Sequence, residues 1–137
     1  MAYSLQELKE QARQVRDRAY VPYSHFPVGA ALVGKDGQIF SGCNVENASY
    51  PLGMCAERAC VSMALAAGVH SFEAIWIMGE RERPMPCGGC RQVLSEFGDL
   101  QIFVASGDGD DVKSYWLHDL LPESFHWSPT HPGELAE

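Results

Sequence analysis

Three cysteines and one glutamate constrain this chain more than any other feature. Cys55-Ala56-Glu57 is followed, further along, by Pro86-Cys87-Gly88-Gly89-Cys90. The grouping suits one metal ion, so any fold must bring the two segments together. A structural zinc site closes with four protein ligands, whereas a catalytic one leaves a position for water. No fourth ligand stands at a matching spacing, so the open position predicts a metal-activated water. Glu57 is placed beside it to move protons. Cys55 and Cys87 are each predicted in the first turn of a helix, where unpaired backbone N–H groups and the dipole stabilise thiolates. Three thiolates give a zinc site a formal charge of −1, which the helix ends offset in part. Arg58, next to Glu57, is the candidate partner for a cysteine sulfur.

Each element of this reading has a plainer rival. Cys87 and Cys90 alone are a CxxC pair, equally a redox pair or a metal pair; Cys55-Ala56-Glu57 and Pro86 favour the metal. Glu57 alone would be a dipole partner in a first helical turn. Cys43 and Cys60 read as small buried side chains. His25, His70, His118, His126 and His131 show no ligand spacing and read as solvated. Asp108-Gly109-Asp110-Asp111 lacks the closing glutamate of a calcium loop and reads as a turn.

The remaining sequence builds an α/β frame. Ser4-Leu5-Gln6-Glu7 matches a capping box, with Leu5, Leu8, Ala12 and Val15 at helical spacing and Pro22 as terminator. Val28 to Val33 and Ile39 to Val45 read as antiparallel strands joined at Asp36-Gly37. A helix follows Cys55 and stops at Gly68. Phe72 to Met78, Leu100 to Ala105 and Val112 to Trp116 are further strands. A helix runs from near Cys87 to about Phe97, and Leu117 to Leu121 makes a short turn. This order predicts a three-layer α/β/α domain around a mixed sheet of about five strands. Residues 1–137 read as one catalytic domain, with a loosely ordered tail from about residue 128.

The formal charge of −8 disfavours a nucleic-acid partner, which requires a basic stripe. No apolar run approaches membrane-spanning length. Met1 to Gln6 lacks the layout of a secretory leader. With five cysteines, three of them in a metal-like grouping, the expected location is the cytoplasm.

Several stretches together resemble the small, homotetrameric type of cytidine deaminase. They are Tyr23-Ser24-His25-Phe26-Pro27-Val28-Gly29-Ala30-Ala31, Gly42-Cys43-Asn44-Val45-Glu46-Asn47, Cys55-Ala56-Glu57-Arg58, Pro86-Cys87-Gly88-Gly89-Cys90-Arg91-Gln92 and Leu120-Leu121-Pro122. The cysteine–glutamate pattern is a known variant of the zinc-deaminase signature. The resemblance implies one Zn2+ per chain on Cys55, Cys87 and Cys90, with Glu57 as proton carrier in hydrolytic deamination of cytidine and deoxycytidine. It further implies that Asn44 and Glu46 hold the ribose 3′-hydroxyl. Phe26 would pack on the pyrimidine, and the Ala56 backbone N–H would meet the base carbonyl. It also implies a homotetramer whose sites are shared between subunits, Tyr50 reaching a neighbour's ribose and Phe125 covering a neighbour's base.

Three departures stand out. Met85 replaces the usual serine or threonine, which raises N4-substituted cytidines as additional substrates. Gly89 replaces a common alanine, and His126-Trp127-Ser128-Pro129 replaces an acidic segment. The rival functions are a deaminase of another aminated heterocycle such as blasticidin S, a polynucleotide-editing deaminase and a non-catalytic zinc module. Asn44-Val45-Glu46-Asn47 argues against the first, the net charge against the second, and the open metal position against the third.

Overall fold

The first helix begins where its residues dictate. Ser4 has an extended backbone and its Oγ accepts the Glu7 N–H at 3.2 Å, opening α1 (Leu5–Arg16). A computed structural model describes residues 3–127 of the chain; the tail expected to be loose lies outside those residues. Leu8 and Ala12 are buried as the spacing predicts, but the next covered position is Arg16, with Val15 only half-buried. The Arg16 stem extends the apolar stripe, while Nη1 donates to the Gly79 and Gly107 carbonyls, each at 2.7 Å. The helix ends there, ahead of Pro22, so the proline is not its terminator.

Five strands follow: β1 (Val28–Gly34), β2 (Ile39–Cys43), β3 (Phe72–Gly79), β4 (Gln101–Ser106) and β5 (Asp111–Trp116). They form one mixed sheet in the order β2-β1-β3-β4-β5. The β3–β4 pair is parallel and the other three are antiparallel. The β1–β2 register runs from Gly29↔Cys43 to Val33↔Ile39 around a turn where Gly37 has a positive φ of 90°. β2 is two residues shorter than the predicted Ile39–Val45. At Asn44 the side chain takes over backbone pairing, accepting from the Val28 N–H and donating to the Phe26 carbonyl. Val45 then pairs with Met54 and Tyr20 in isolated bridges. A single 3-10 turn at Tyr50–Leu52, not foreseen from sequence, precedes α2 (Ala56–Ala66). α3 (Gly88–Ser95) connects β3 to β4, and α4 (Leu117–Leu120) follows β5.

The helices make the outer layers. α1 covers Ala31, Val33, Ala74, Trp76 and Met78 on one face. On the other face, the α2 residues Ala56, Cys60 and Ala64 and the α3 residue Leu94 pack on Ala30, Leu32, Ile75, Ile77, Ile102 and Val104. Truncating one of these fully buried isoleucines to alanine costs about 2–5 kcal/mol. Two glycines let the layers close. A Cβ on Gly29 would lie 2.1 Å from the Ala12 carbonyl oxygen, and one on Gly42 would lie 2.8 Å from the Ala59 Cβ. β1 is thus buried on both faces, and α2 rests directly over the β1–β2 hairpin. The loop leaving the carboxyl end of β3 leads into Cys87, the customary position for a site in a layered α/β domain.

Candidate active site

Two helix beginnings assemble the thiol cluster. Cys55 is the N-cap of α2, with φ −78° and ψ 151°, and Cys87 is the N-cap of α3, with φ −68° and ψ 167°. Each therefore stands just before the predicted first turn. The extended cap backbone lets the Cys87 thiol face the N–H groups of its helix, whereas Cys55 makes no side-chain cap hydrogen bond. Cys87 Sγ accepts the Cys90 N–H at 3.4 Å. The three sulfurs of Cys55, Cys87 and Cys90 all lie within 4.8 Å of one another. Tetrahedral zinc with Zn–S bonds of about 2.3 Å needs sulfurs about 3.8 Å apart. A small inward movement meets that requirement, and an all-thiolate donor set is chemically suited to zinc.

The charges inside the cluster suit it to a cation. The Cys55 thiol is brought down to about 5, chiefly by a hydrogen bond from Cys90, with Arg58 adding to the effect and burial opposing it. Cys90 moves up, because it holds the donated proton against the Cys55 charge and is itself buried. A metal ion bound to these sulfurs would displace the thiol protons. Arg58 Nη2 donates to Cys55 Sγ at 3.4 Å, and the Arg58 guanidinium is held more basic by that sulfur.

Glu57 occupies the first turn of α2 and is only 5% exposed. Burial raises its carboxyl above the usual range; its own backbone N–H opposes this and the Cys55 thiolate reinforces it. Ala56, also buried, supplies the first N–H of the same helix. The other two cysteines lie outside the cluster. Cys60 is fully buried, donates to the Ala30 carbonyl, and has its thiol pushed up by burial. Cys43 is half-buried at the end of β2, and burial raises it too.

A cleft of about 310 Å³ is lined by Tyr23, Ser24, Glu46, Asn47, Tyr50 and Gly53; Phe26, Asn44 and the cluster residues are not in its lining. The Val45–Met54 bridge holds Asn44 and Glu46 against the segment that enters Cys55. Glu46 Oε1 accepts the N–H groups of Tyr23 at 2.9 Å and Ser24 at 3.1 Å. The Ser24 side chain and these two amides hold the Glu46 carboxyl below the usual carboxylate range. Asn44 uses Oδ1 and one N–H on the backbone, keeping its second N–H available. Phe26 is 38% exposed, a large ring without full cover. The Tyr23 and Ser24 amides were invisible in the side-chain motifs; the only hint was Pro22 ahead of them, a turn former.

Tyr50, in the cleft lining, and Phe125 are 75% and 74% exposed. Tyr50 meets the Tyr23 ring edge-to-face at 5.9 Å. Phe125 is clasped through its backbone by Gln92, which donates to its carbonyl at 2.9 Å and accepts its N–H at 3.3 Å. Arg91 ties the cysteine loop down, with Nε to the Pro86 carbonyl and Nη1 to that of Leu120. These two roles were missed from sequence because the partners of Arg91 and Gln92 lie across the fold. Met85 lines a different depression, with Arg81, Arg83, Ser106, Asp111 and Tyr115. A Cβ on Gly89 would meet only Cys87 Sγ, at an ordinary 3.8 Å.

Residues 2–106 match the family model described as the cytidine and deoxycytidylate deaminase zinc-binding region. The chain belongs to that deaminase family. A cytidine deaminase from Sporosarcina psychrophila is 42% identical over 124 residues, covering 88% of this chain and 90% of the relative. Among solved structures, a cytidine deaminase from Burkholderia pseudomallei aligns with a TM-score of 0.84 and 47% identity, covering 89% of this chain and 99% of the other. That from Mycobacterium tuberculosis aligns with a TM-score of 0.77 and 42% identity, over 88% and 96% of the two chains. Deaminase structures thus share the mixed sheet and its helical layers, and the family's zinc-binding region spans Cys55, Cys87 and Cys90. No helix among the described residues is long and apolar enough to cross a membrane.

Proposed function

We propose that this protein hydrolyses cytidine and deoxycytidine to uridine and deoxyuridine with release of ammonia, a step of pyrimidine salvage. The observation that carries the reading is the buried Glu57 at the helix start whose cap, Cys55, belongs to the thiol cluster. Cys55, Cys87 and Cys90 would hold one zinc ion, which when bound supplies a Lewis acid that makes water nucleophilic near neutral pH. Glu57 then takes a proton from the water attacking C4 and delivers it to N3. It carries a second proton to the exocyclic amine, which leaves as ammonia. The Ala56 N–H orients the base carbonyl, Phe26 packs on the ring, and Asn44 and Glu46 hold the sugar hydroxyl.

The protein is further read as a homotetramer with shared sites. Tyr20, Val45, Tyr50, Leu52 and Met54 form an exposed apolar surface around the cleft, and Phe125 projects without cover; surfaces of that kind mark interfaces. Tyr50 and Phe125 are the residues assigned to a neighbour's site. A cytoplasmic location fits a site built on reduced thiols. Conversion of cytidine by the zinc-loaded protein, followed by ultraviolet absorbance, tests the activity; light scattering tests the assembly. Fast turnover by a tetramer is expected. A folded, zinc-loaded protein inert toward both nucleosides would overturn the substrate assignment, and an active monomer would overturn the shared site.

A further inference from the structure

One backbone position at the cleft breaks the pattern kept elsewhere in the chain. His25 has a φ of 55°, whereas the other positive-φ residues among those described are glycines: Gly37, Gly68, Gly98, Gly107 and Gly109. Left-handed backbone is unfavourable for a residue with a Cβ and persists where the surroundings over-determine it. The His25 ring is exposed and close enough for its charge to act on the Glu46 carboxyl, but no hydrogen bond from the ring is what holds the conformation. The backbone is: the His25 N–H returns to the Val21 carbonyl at 3.0 Å, closing a single turn through Pro22, Tyr23 and Ser24. A left-handed residue is the usual way to end such a turn.

What this turn holds is the cleft itself. The Tyr23 and Ser24 N–H groups converge on Glu46 Oε1, as the first amides of a turn converge on an anion. Past His25, the Phe26 N–H folds back onto Ser24 Oγ at 3.1 Å, and the Phe26 carbonyl reaches Asn44 Nδ2 at 2.9 Å. Both Glu46 and Asn44 are therefore oriented by backbone on either side of residue 25. The two amides engage Oε1, and the Ser24 side chain also acts on the carboxyl, so residues of the 21–25 turn set how Glu46 is presented.

We infer that His25 is a positioning residue for sugar recognition: its left-handed backbone fixes the 21–25 turn so that the Glu46 carboxylate is aimed at the sugar hydroxyl. The inference rests on the reading that Asn44 and Glu46 hold the ribose 3′-hydroxyl. The experiment separates the two by comparing cytidine with 3′-deoxycytidine in wild type, His25→Gly, His25→Asn and His25→Val, each zinc-loaded and checked for zinc content. Glycine and asparagine tolerate positive φ and valine does not. Wild type, His25→Gly and His25→Asn are expected to favour cytidine to the same degree. His25→Val is expected to lose about tenfold or more in kcat/KM on cytidine, mainly through KM, with much less loss on 3′-deoxycytidine. If wild type does not discriminate between the substrates, the sugar-clamp reading fails and the inference with it. If wild type discriminates but His25→Val loses equally on both substrates, or on neither, the inference alone is overturned. It is also overturned if His25→Gly behaves like His25→Val, since the side chain would then be the cause. Should His25→Val fail to fold, His25→Ala, which also resists positive φ, replaces it under the same comparison.

Discussion

The thiol cluster and the cleft read as the sugar site are made in different ways. The cluster is built from side chains at two helix starts, Cys55 capping α2 and Cys87 capping α3, with Cys90 and Glu57 in the first turns. Its groups are buried or half-buried, apart from Cys87, and Arg58 braces it from within its own helix. The cleft is built mainly from backbone: two amides on Glu46, a carbonyl and an N–H on Asn44, and one left-handed residue. Chemistry that needs particular atoms is written in side-chain types. Recognition that needs only donors and acceptors in the right place is delegated to the path of the chain.

That difference can be broken at either end. The largest effect belongs to the cluster. Cys87→Ala, the ligand whose loss disturbs packing least because it is exposed, is expected to leave a folded protein with almost no bound zinc and no turnover; retention of stoichiometric zinc would mean that the three sulfurs do not act together. Arg58→Ala should come next, weakening zinc retention by about 10–100-fold in a chelator competition. Unchanged retention would show that its 3.4 Å contact to Cys55 is incidental.

Glu46→Ala removes the anion on which the Tyr23 and Ser24 amides converge. Zinc content should stay the same while kcat/KM for cytidine falls by about 10–100-fold, as for a lost charged hydrogen bond. A fall in zinc instead would mean that cleft and cluster are a single structural unit. The smallest expected effect lies far from both. His118 Nδ1 pairs with Asp99 Oδ2 at 2.6 Å, and this contact raises the His118 pKa. A histidine raised on folding stabilises the native state most fully below its unfolded value and loses that contribution as pH rises through the folded value. Asp99→Asn should therefore lower Tm slightly at mildly acidic pH, with the gap to wild type narrowing toward alkaline pH. A gap that widens instead would contradict the assignment.

The same division explains what could be read from the sequence. The N-cap at Ser4, the β1–β2 hairpin around Gly37, the helices after Cys55 and Cys87 and the five strands followed from local spacing, because each depends on residues close in the chain. The thiol cluster, able to hold a metal ion, was legible for the same reason: its three cysteines are few, chemically distinct and set at helix starts. Where distant partners decide, local patterns fell short. Arg16 is buried because its head meets the Gly79 and Gly107 carbonyls, which no helical stripe can reveal. β2 ends at Cys43 because Asn44 answers Phe26 and Val28. The Arg91 and Gln92 contacts join α3 to Leu120 and Phe125, and residue type alone carries no trace of them. The left-handed backbone at His25 is likewise silent in its one-letter identity, since glycine is the residue that announces such a position.

The most direct test is turnover of cytidine by zinc-loaded Glu57→Ala beside wild type, with zinc content and Tm measured on both. Wild type should convert cytidine to uridine with one zinc per chain. The variant should keep its zinc and its fold and lose about 10²–10⁴-fold in turnover, the scale of general acid–base catalysis. Near-normal turnover in a zinc-loaded, folded Glu57→Ala would contradict the assignment of proton transfer to the buried carboxylate, and with it the central claim.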